Sequence, residues 1–400
     1  MLVHVKRLQA RMDAEGLDGV VGATLANVYY FAGFTSMELA DFPYDGQVYA
    51  VVTRDEPTKP VVVMPVGEID QLLDGFPIDK AIGYGRLVRK GPVPGISLSK
   101  EEKWLKSVSI DIKAAAGPLE GLMQALEHKG LADKKIGIDE LGFCSTYFEK
   151  LAERFPRAQF VPVSEMLRSV RVVKTPAEIS RLRAVARMTE QAMLAATSIA
   201  REGITEYELC REFERSIVSQ GGQPRFTLIR FGRNGIAGQR RPDRTPLRKG
   251  ETLWFDTGAR YEGYWSDLAR TFSLGEPSTR VRQIYSAMLE GEKAGIAATR
   301  VGMTASEIYH IVMEASRKGG HPEYERHHVG HGIGLEVYEG PSLSPSSNEV
   351  IEEGTVINIE TPYYEFGLGA LHVEDPYVVG ADGKHELLTT LGRELHVLGA

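Results

Sequence analysis

The stretch LWFDTGARYEGYWSDLARTF, residues 253–272, contains two apolar runs on either side of a short turn. Apolar and aromatic runs bounded by turn residues are typical of paired strands. If residues 261–262 form a two-residue hairpin loop, Asp256 in the first strand faces Asp267 in the second. Directly opposed residues have Cβ atoms about 4.5–5.5 Å apart, and two carboxylates this close repel each other unless a cation or a proton lies between them. The stretch therefore predicts a hairpin that binds a divalent metal.

A second pair of strands is predicted further along the chain, at residues 356–361 and 370–379. Gly367 lies midway between Glu360 and Glu374. An odd-numbered loop centred on this glycine therefore places the two glutamates face to face. The sequence thus predicts two opposed pairs of carboxylates, each in apolar strands.

An imidazole completes the predicted metal site. His331 lies in the glycine-rich stretch 330–334, and glycines allow the backbone to pack close to a site. Four carboxylates and one histidine suit two divalent ions of Mn, Co, Zn or Fe, about 3.5–4 Å apart, with a bridging water as the nucleophile. The predicted metal ligands are Asp256, Asp267, His331, Glu360 and Glu374.

Each of these residues has a plainer interpretation when it is taken alone. A single buried aspartate in a hairpin is more often a turn or cap residue, and a histidine in a glycine-rich loop is usually structural. Two opposed carboxylate pairs together with the histidine are difficult to explain as five separate structural accidents. The prediction of a metal site depends on all five residues occurring together.

The first part of the chain has a different sequence pattern. Valine-rich strands alternate with helices, which is typical of an α/β layer domain, and residues 88–108 are predicted to form a loop or an insertion. Thr175–Glu178 forms a capping box with proline at the first helical position, so a long helix is predicted to start there. We therefore predict an α/β N-terminal domain at residues 1–165 and a catalytic domain at residues 166–400.

The second domain contains a faint internal repeat. Arg201–Leu209 recurs as Arg300–Ile308, and each copy places a glycine at the end of one helix and a threonine N-cap at the start of the next. Each copy is followed by a segment rich in predicted strands. Because a glycine, an apolar residue and a threonine are common at helix junctions, coincidence is the alternative at this point.

The composition argues against several classes of protein. Hydrophobic residues make up 42% of the 400 residues and charged residues 25%, which is ordinary for globular domains. The formal net charge of −7 argues against a nucleic-acid-binding surface. Cys144 and Cys210 form no metal or redox motif, and no apolar run is long enough for a signal peptide or a membrane span. We expect a soluble cytoplasmic protein with no nucleic-acid or membrane partner.

Taken together, these residues resemble the pita-bread metallohydrolases, which include prolidase, aminopeptidase P, methionine aminopeptidase and their non-metal relative creatinase. Matching stretches occur in the family's order and spacing: FDTG at 255–258, SDLART at 266–271, GHGIGL at 330–335, NIETP at 358–362 and VED at 373–375. Residues 27–34 (NVYYFAGF) resemble the N-terminal domain of the prolidase and creatinase branch. The resemblance implies an α+β pita-bread catalytic domain with a pseudo-two-fold internal repeat and an antiparallel sheet. It also implies a homodimer.

Three positions near the predicted metal site differ from the family pattern. Gln239 and Tyr338 stand where the family's peptidases usually carry histidines, and His372 stands where they carry an arginine. His327, in contrast, matches a substrate-site histidine of the family. The metal ligands are therefore retained, whereas the residues around the substrate are altered.

The predicted activity is cleavage of a Xaa-Pro peptide, or of a small peptide-like amide, by a metal-bridging hydroxide. Glu360 is the predicted general base in addition to its metal contact. His327 and Tyr338 are predicted to stabilise the tetrahedral intermediate. The predicted substrate-binding residues are Gln239, His372 and Arg240.

Two other functions stay open at this point. The altered substrate residues also fit an enzyme that acts on a small osmolyte-like or amidine substrate, as an ectoine-type amidohydrolase or a lyase. Arginines near position 239 either bind a substrate carboxylate or belong to a solvated loop, and they are Arg230, Arg233, Arg240 and Arg241. A non-catalytic binding module is the third possibility, although such a module has no need of a paired-metal site.

Overall fold

The structure is a computed structural model, and it describes residues 2–76, 78–111 and 113–399. The chain divides into two compact units, residues 1–171 and 172–400. The domain boundary predicted between residues 165 and 166 lies a few residues earlier than this division, and it stays a prediction. Among the described residues, no helix is both long enough and apolar enough to cross a bilayer.

The first unit is an α/β layer structure. Its helices are α1 (Val5–Glu15), α2 (Leu25–Ala32), α3 (Met37–Asp41), α4 (Lys100–Ser109), α5 (Pro118–His128), α6 (Tyr147–Arg154) and α7 (Ser164–Arg171), with 3₁₀ turns at Ile69–Asp74 and Glu140–Gly142. Its strands are β1 (Gly19–Gly22), β2 (Tyr49–Thr53), β3 (Val61–Pro65), β4 (Lys80–Tyr84), β5 (Lys135–Ile138) and β6 (Gln159–Pro162). In the described part of the unit these strands form one mixed sheet in the order β4-β3-β2-β1-β5-β6.

One helix of the first unit lies where the sequence predicts a loop. Helix α4 occupies residues 100–109, so the loop predicted over residues 88–108 is wrong from residue 100 onward. The glycines and prolines at residues 91–95 indicate a loop, but they end before the helix starts. Ser99 and Glu102 then form a capping box that satisfies the first backbone N–H groups of the helix.

The second unit packs helices against a large sheet. Its helices are α8 (Pro176–Ser198), α9 (Glu206–Ser219), α10 (Thr279–Ala298) and α11 (Ala305–Lys318), with 3₁₀ turns at Gly232–Ala237 and Ala381–Gly383. Its first strands are β7 (Gln223–Phe231), β8 (Thr252–Tyr261), β9 (Tyr264–Trp265) and β10 (Leu268–Leu274). The later strands are β11 (Gly330–Gly332), β12 (Glu339–Ser342), β13 (Val356–Glu360), β14 (Tyr363–Glu365), β15 (Gly369–Leu371), β16 (Glu374–Val378), β17 (Glu386–Leu387) and β18 (His396–Leu398).

The sheet of the second unit is largely antiparallel. Its main path runs β12-β11-β13-β16-β10-β8-β7, while β14 and β15 form a separate hairpin. Two apolar clusters cover it: one joins α8 and α9 to β7, β8 and β10, and the other joins α10 and α11 to β13 and β16. The strands β8, β10, β13 and β16 therefore lie at the centre of the unit.

The internal repeat predicted from the sequence is present in the structure. Helices α9 and α11 each begin with a capping box made by a threonine and a glutamate. Just before them, Gly203 and Gly302 both have a positive φ, which glycine adopts without strain. The amide of Gly203 donates to Leu247 O at 2.8 Å, and the amide of Gly302 donates to Ile351 O at 2.8 Å. The same junction is thus built twice, and coincidence is excluded.

A buried ion pair holds the loop that follows β11. Lys174 Nζ lies 2.9 Å from Glu339 Oε2, and the two side chains are 0% and 3% exposed. The other carboxylate oxygen of Glu339 accepts hydrogen bonds from the backbone N–H groups of Leu335 and Glu336 at 3.1 and 3.2 Å. Removing one charge would leave the other buried without its counter-ion, which is costly.

Glu178 lies near this pair at the start of α8. Its carboxylate accepts hydrogen bonds from the backbone N–H of Thr175 at 2.8 Å and from the Tyr264 hydroxyl at 3.0 Å. Burial nevertheless raises the pKa of Glu178 to about 7. The folded state therefore favours the neutral, protonated form of the Glu178 carboxyl.

We predict that Lys174→Met destabilises the second unit by about 3–5 kcal/mol, because Glu339 keeps a buried, uncompensated charge. Urea unfolding followed by tryptophan fluorescence measures this, since Trp254 and Trp265 both lie in the second unit. Arg183→Met is the control: it breaks a solvent-exposed pair with Glu386 and should cost about 0–1 kcal/mol. Equal losses in the two variants would contradict the prediction.

We predict that Glu178→Gln makes stability less dependent on pH. The pKa of Glu178 is raised from 4.5 to about 7, so its stabilising contribution is fully present below pH 4.5 and is lost as the pH rises through 7. Between pH 5 and 8 the unaltered protein should therefore lose up to about 3 kcal/mol relative to the variant.

The matched control for this pH series is Glu307→Gln at the capping box of α11. The Thr304 backbone N–H lowers the pKa of Glu307, which is therefore ionised throughout this range. Unfolding free energies measured at pH 5, 6, 7 and 8 test the prediction. A difference between Glu178→Gln and the unaltered protein that stays constant across the series would refute it.

Candidate functional site

The turn between β8 and β9 differs from the predicted one. Tyr261 pairs with Tyr264, so the two-residue loop consists of Glu262 and Gly263 instead of residues 261–262. Both loop residues have positive φ values, 44° and 82°. Tight hairpins favour this conformation because its twist matches that of the strands, and glycine adopts it readily. The turn therefore forms one residue later than predicted.

This change moves the register of the two aspartates. Asp256 pairs with Ala269 in β10, so the predicted direct opposition of Asp256 and Asp267 is wrong. The slip is two residues, however, and side chains alternate between faces with a period of two. Asp256 and Asp267 therefore remain on the same face of the sheet as diagonal neighbours, and their charges interact.

The second carboxylate pair has the predicted register. Glu360 at the end of β13 pairs directly with Glu374 at the start of β16. β11 lies beside β13 and places His331 opposite Asn358. The Asn358 amide donates to Glu374 Oε1 and to the backbone oxygen of Asp267, both at 2.9 Å. Asn358 thus ties the two halves of the site together.

The five predicted metal ligands come together in the structure. His331 Nε2 lies 3.6 Å from Asp267 Oδ2 and 3.8 Å from Glu374 Oε1. Within the described residues, two overlapping groups have ligand atoms within 4.8 Å of one another, and Glu374 belongs to both. One group is Asp267, His331 and Glu374, and the other is Asp256, His372 and Glu374.

The surroundings of these carboxyls raise the pKa of two of them and lower the pKa of a third. Burial raises the pKa of Asp256 and of Glu374 well above the ordinary value, and the neighbouring carboxylates add to the effect. Burial would also raise the pKa of Glu360, but the neighbouring imidazoles of His328 and His372 lower it well below the ordinary value. The protein alone does not compensate the negative charge of the site.

A divalent cation fits this arrangement. Asp267 Oδ1 and His331 Nε2 are buried and have no hydrogen-bond partner among the described residues. His331 Nδ1 lies 2.9 Å from its neighbour's carbonyl, Gly332 O, so that its Nε2 lone pair is free to face the carboxylates. Metal-binding histidines are usually oriented in this way. The chemistry of the donors and their unsatisfied atoms therefore both point to metal.

A cavity of about 580 Å³ opens beside the carboxylates. It is lined by the remaining predicted site residues, namely Gln239, Arg240, His327, Tyr338, Glu360 and His372. The Tyr338 ring stacks on the ring of His331, with centroids 3.8 Å apart. Arg240 is largely exposed and lies 3.3 Å from Asp243, so it stands at the rim.

The other arginines near Gln239 do not converge on this cavity. Arg230 is buried, lies 2.6 Å from Glu206 and donates to the backbone oxygen of Arg241 at 3.0 Å. Arg233 donates to Gly367 O at 2.8 Å, outside the cavity lining. Among the four arginines, only Arg240 lines the cavity in the described structure.

Sequence reasoning missed three polar residues of the site. His328 Nε2 lies 2.7 Å from Glu360 Oε1, and Arg326 also lines the cavity. Nothing in the sequence showed which of the two adjacent histidines would face Glu360. Asn358 could have been found, because it precedes Glu360 by two residues on the same strand and therefore shares its face.

Two family models together match almost the whole chain. Residues 180–381 match metallopeptidase family M24, and residues 4–173 match the creatinase/prolidase N-terminal domain. A Xaa-Pro dipeptidase of Lactobacillus delbrueckii subsp. lactis is 32% identical over 265 residues, which cover 65% of this chain and 72% of the relative. A Xaa-Pro dipeptidase of Pyrococcus furiosus is 27% identical over 401 residues, 98% of this chain and 99% of the relative.

Solved structures show the same architecture. An X-Pro aminopeptidase from Thermotoga maritima superposes with a TM-score of 0.77 at 22% identity, covering 97% of this chain and all of that one. The prolidase from Pyrococcus horikoshii superposes with a TM-score of 0.73 at 25% identity, covering 98% and 99%. The predicted fold, an α/β domain followed by a pita-bread domain with an internal repeat, is confirmed. The chain is therefore a metallopeptidase that belongs to family M24 and carries the creatinase/prolidase N-terminal domain.

Proposed function

We propose that this enzyme hydrolyses Xaa-Pro dipeptides with two divalent metal ions. The observation that carries the proposal is the clustering of carboxylates and imidazoles with unsatisfied atoms beside a cavity that Asp256 and Glu360 line. When bound, the ions would activate water as the nucleophile and polarise the substrate carbonyl. The residues that would hold them are Asp256, Asp267, His331, Glu360 and Glu374.

Glu360 is the proposed general base. Its pKa is low, because the neighbouring imidazoles of His328 and His372 outweigh the effect of burial, so its carboxylate is ionised at neutral pH. It can therefore accept a proton from the attacking water and pass it on to the departing amine. His328 Nε2 lies 2.7 Å from Glu360 Oε1, where it holds this carboxylate in place.

Tyr338 and His327 are the proposed partners of the substrate carbonyl. Tyr338 is 58% exposed, and partial burial together with the surrounding carboxylates raises its pKa, so the phenol keeps its proton and can donate a hydrogen bond. Its hydroxyl makes no hydrogen bond within the described residues and is free for substrate. Burial and the neighbouring His328 and Arg326 lower the pKa of His327, which is thus neutral at neutral pH. Gln239 and Arg240 would bind the substrate at the rim.

A second candidate function has one observation in its favour. Gln239 and Tyr338 both line the cavity, and neither side chain titrates near neutrality as a histidine would. A substrate that needs less proton transfer would suit this cavity, such as an osmolyte-like amide or amidine cleaved by an ectoine-type amidohydrolase or a lyase. A hydrolysis screen with Xaa-Pro dipeptides, longer Xaa-Pro peptides and cyclic amidines separates the two functions.

The choice of metal and the assembly of the enzyme are part of the same proposal. Mn²⁺, Co²⁺, Zn²⁺ and Fe²⁺ all accept this set of ligands. From the family resemblance we infer a cytoplasmic homodimer. Elemental analysis of the purified protein and sedimentation at several protein concentrations test the metal and the dimer.

We predict that Tyr338→Phe lowers kcat for a Xaa-Pro dipeptide by about 10–1000-fold, because the transition state loses a hydrogen-bond donor. The stacked ring is retained in this variant. Tyr207→Phe, on the exposed surface of α9, is the control and should keep full activity. If Tyr338→Phe were equally active, the carbonyl would need another donor.

We predict that Glu374→Gln has opposite effects with and without metal. The metal-free variant should be more stable than the metal-free protein, because one of several buried, mutually repelling carboxylates is gone. The unaltered protein should gain about 4 kcal/mol from metal at about 1,000 times Kd, and the variant should gain far less.

Thermal unfolding of both proteins with and without Mn²⁺ or Co²⁺ measures these differences. The variant keeps the hydrogen bond from Asn358, because the glutamine oxygen can still accept it. An undiminished gain from metal in Glu374→Gln would remove this residue from the set of ligands.

A further inference from the structure

We propose that His372 is itself a metal ligand, so that each of the two ions is held by one imidazole. This inference rests on the proposed two-metal function and changes the role that the sequence predicts for His372, which is substrate binding. His331 would serve one ion together with Asp267 and Glu374. His372 would serve the other ion together with Asp256 and Glu374.

The distances around His372 suit metal ligation. Its Nε2 lies 3.6 Å from Glu360 Oε2 and 3.8 Å from Glu374 Oε2, and its Nδ1 lies 3.9 Å from Asp256 Oδ2. These separations are too long for good hydrogen bonds. Two ligand atoms that are each about 2.1 Å from one ion can be up to about 4.2 Å apart. The carboxylates of Glu360 and Glu374 therefore lie where atoms that share an ion with Nε2 would lie.

His331 provides an internal comparison. Its Nε2 lies 3.6 and 3.8 Å from the carboxylates of Asp267 and Glu374. His331 stands at the family's metal-ligand position, whereas His372 stands where the family has an arginine. The two rings nevertheless approach the carboxylates at the same distances. The two histidines therefore lie at similar distances from the carboxylates, although only His331 stands at a metal-ligand position of the family.

The ring nitrogens of His372 have no hydrogen-bond partner in the part of the chain that the structure describes. The residue is 2% exposed, and neither ring nitrogen forms a hydrogen bond with any described residue. Leaving a buried polar atom unsatisfied costs about 1–3 kcal/mol. An ion bound by one ring nitrogen, together with Asp256 and Glu374, would satisfy that nitrogen.

The protein also prepares the ring for this role. The ring is buried, with 2% of the residue exposed. The backbone is fixed on both sides, because His372 N donates to Thr271 Oγ1 at 2.9 Å and Thr271 Oγ1 donates to His372 O at 3.1 Å. The Trp254 ring lies nearly parallel to the imidazole, with an angle of 16° between the planes.

Counting the bound imidazoles in the unaltered protein tests the inference directly. The protein is labelled with ¹⁵N-histidine, stripped of metal and loaded with Co²⁺, and its NMR spectrum is recorded. A bound paramagnetic ion shifts the signals of each imidazole that ligates it. We expect two such imidazoles, and a spectrum with only one would overturn the inference while leaving the two-metal function intact. This measurement needs no variant and no substrate.

Metal titration of variants gives a second readout. Calorimetric titration of the metal-free protein with Co²⁺ should show two sites, and His372→Asn should weaken one of them at least about 10-fold, as expected when a residue that supports a metal is lost. His327→Asn is the control, because that histidine lines the same cavity but belongs to neither ligand group. It should keep both affinities and both shifted imidazoles.

The outcomes separate this inference from the proposed function. Two sites of unchanged affinity in His372→Asn would overturn the inference alone. Fewer than two sites in the unaltered protein would overturn both the inference and the two-metal function. Activity need not be measured for either conclusion.

Discussion

Four carboxylates brought to one buried place are the constraint on which the second unit depends. Each carboxylate is at the end or on the face of a central strand, and burial together with the other charges raises the pKa of Asp256 and Glu374. Such a cluster is costly without a cation. Three buried features surround the cluster, and they are the paired strands, the Asn358 amide and the Lys174–Glu339 pair.

The repeated architecture explains why the carboxylates come in pairs. Each half of the unit contributes two helices and a pair of strands, and two of the four carboxylates lie in or directly beside each strand pair. The halves meet where β10 lies beside β16, with Ala269 paired to Glu374. Neither half alone carries more than one acidic pair, so the site exists only where the two halves join.

Imidazole groups are distributed around this site in an unusual way. The two positions where the family's peptidases carry histidines are Gln239 and Tyr338, while His328 and His372 approach Glu360 from two sides at 2.7 and 3.6 Å. Basic nitrogen is thus present beside the carboxylates and absent at Gln239 and Tyr338. Under the proposed function, Glu360 would be the ionised base, and neutral donors such as the Tyr338 phenol would serve the substrate carbonyl.

The sequence by itself determined the family, the succession of an α/β and an α+β domain, and the carboxylates and His331 of the site, because strand periodicity and short motifs are local properties. It also predicted the pairing of Glu360 with Glu374, since a symmetric loop leaves one register. Tertiary structure decided the rest. The register of Asp256 and Asp267 depended on the conformation of a two-residue turn, and both aspartates kept their face only because the slip was even. Which of His327 and His328 faces Glu360, and how closely His372 approaches three carboxylates, depend on packing between distant segments, which no local pattern encodes.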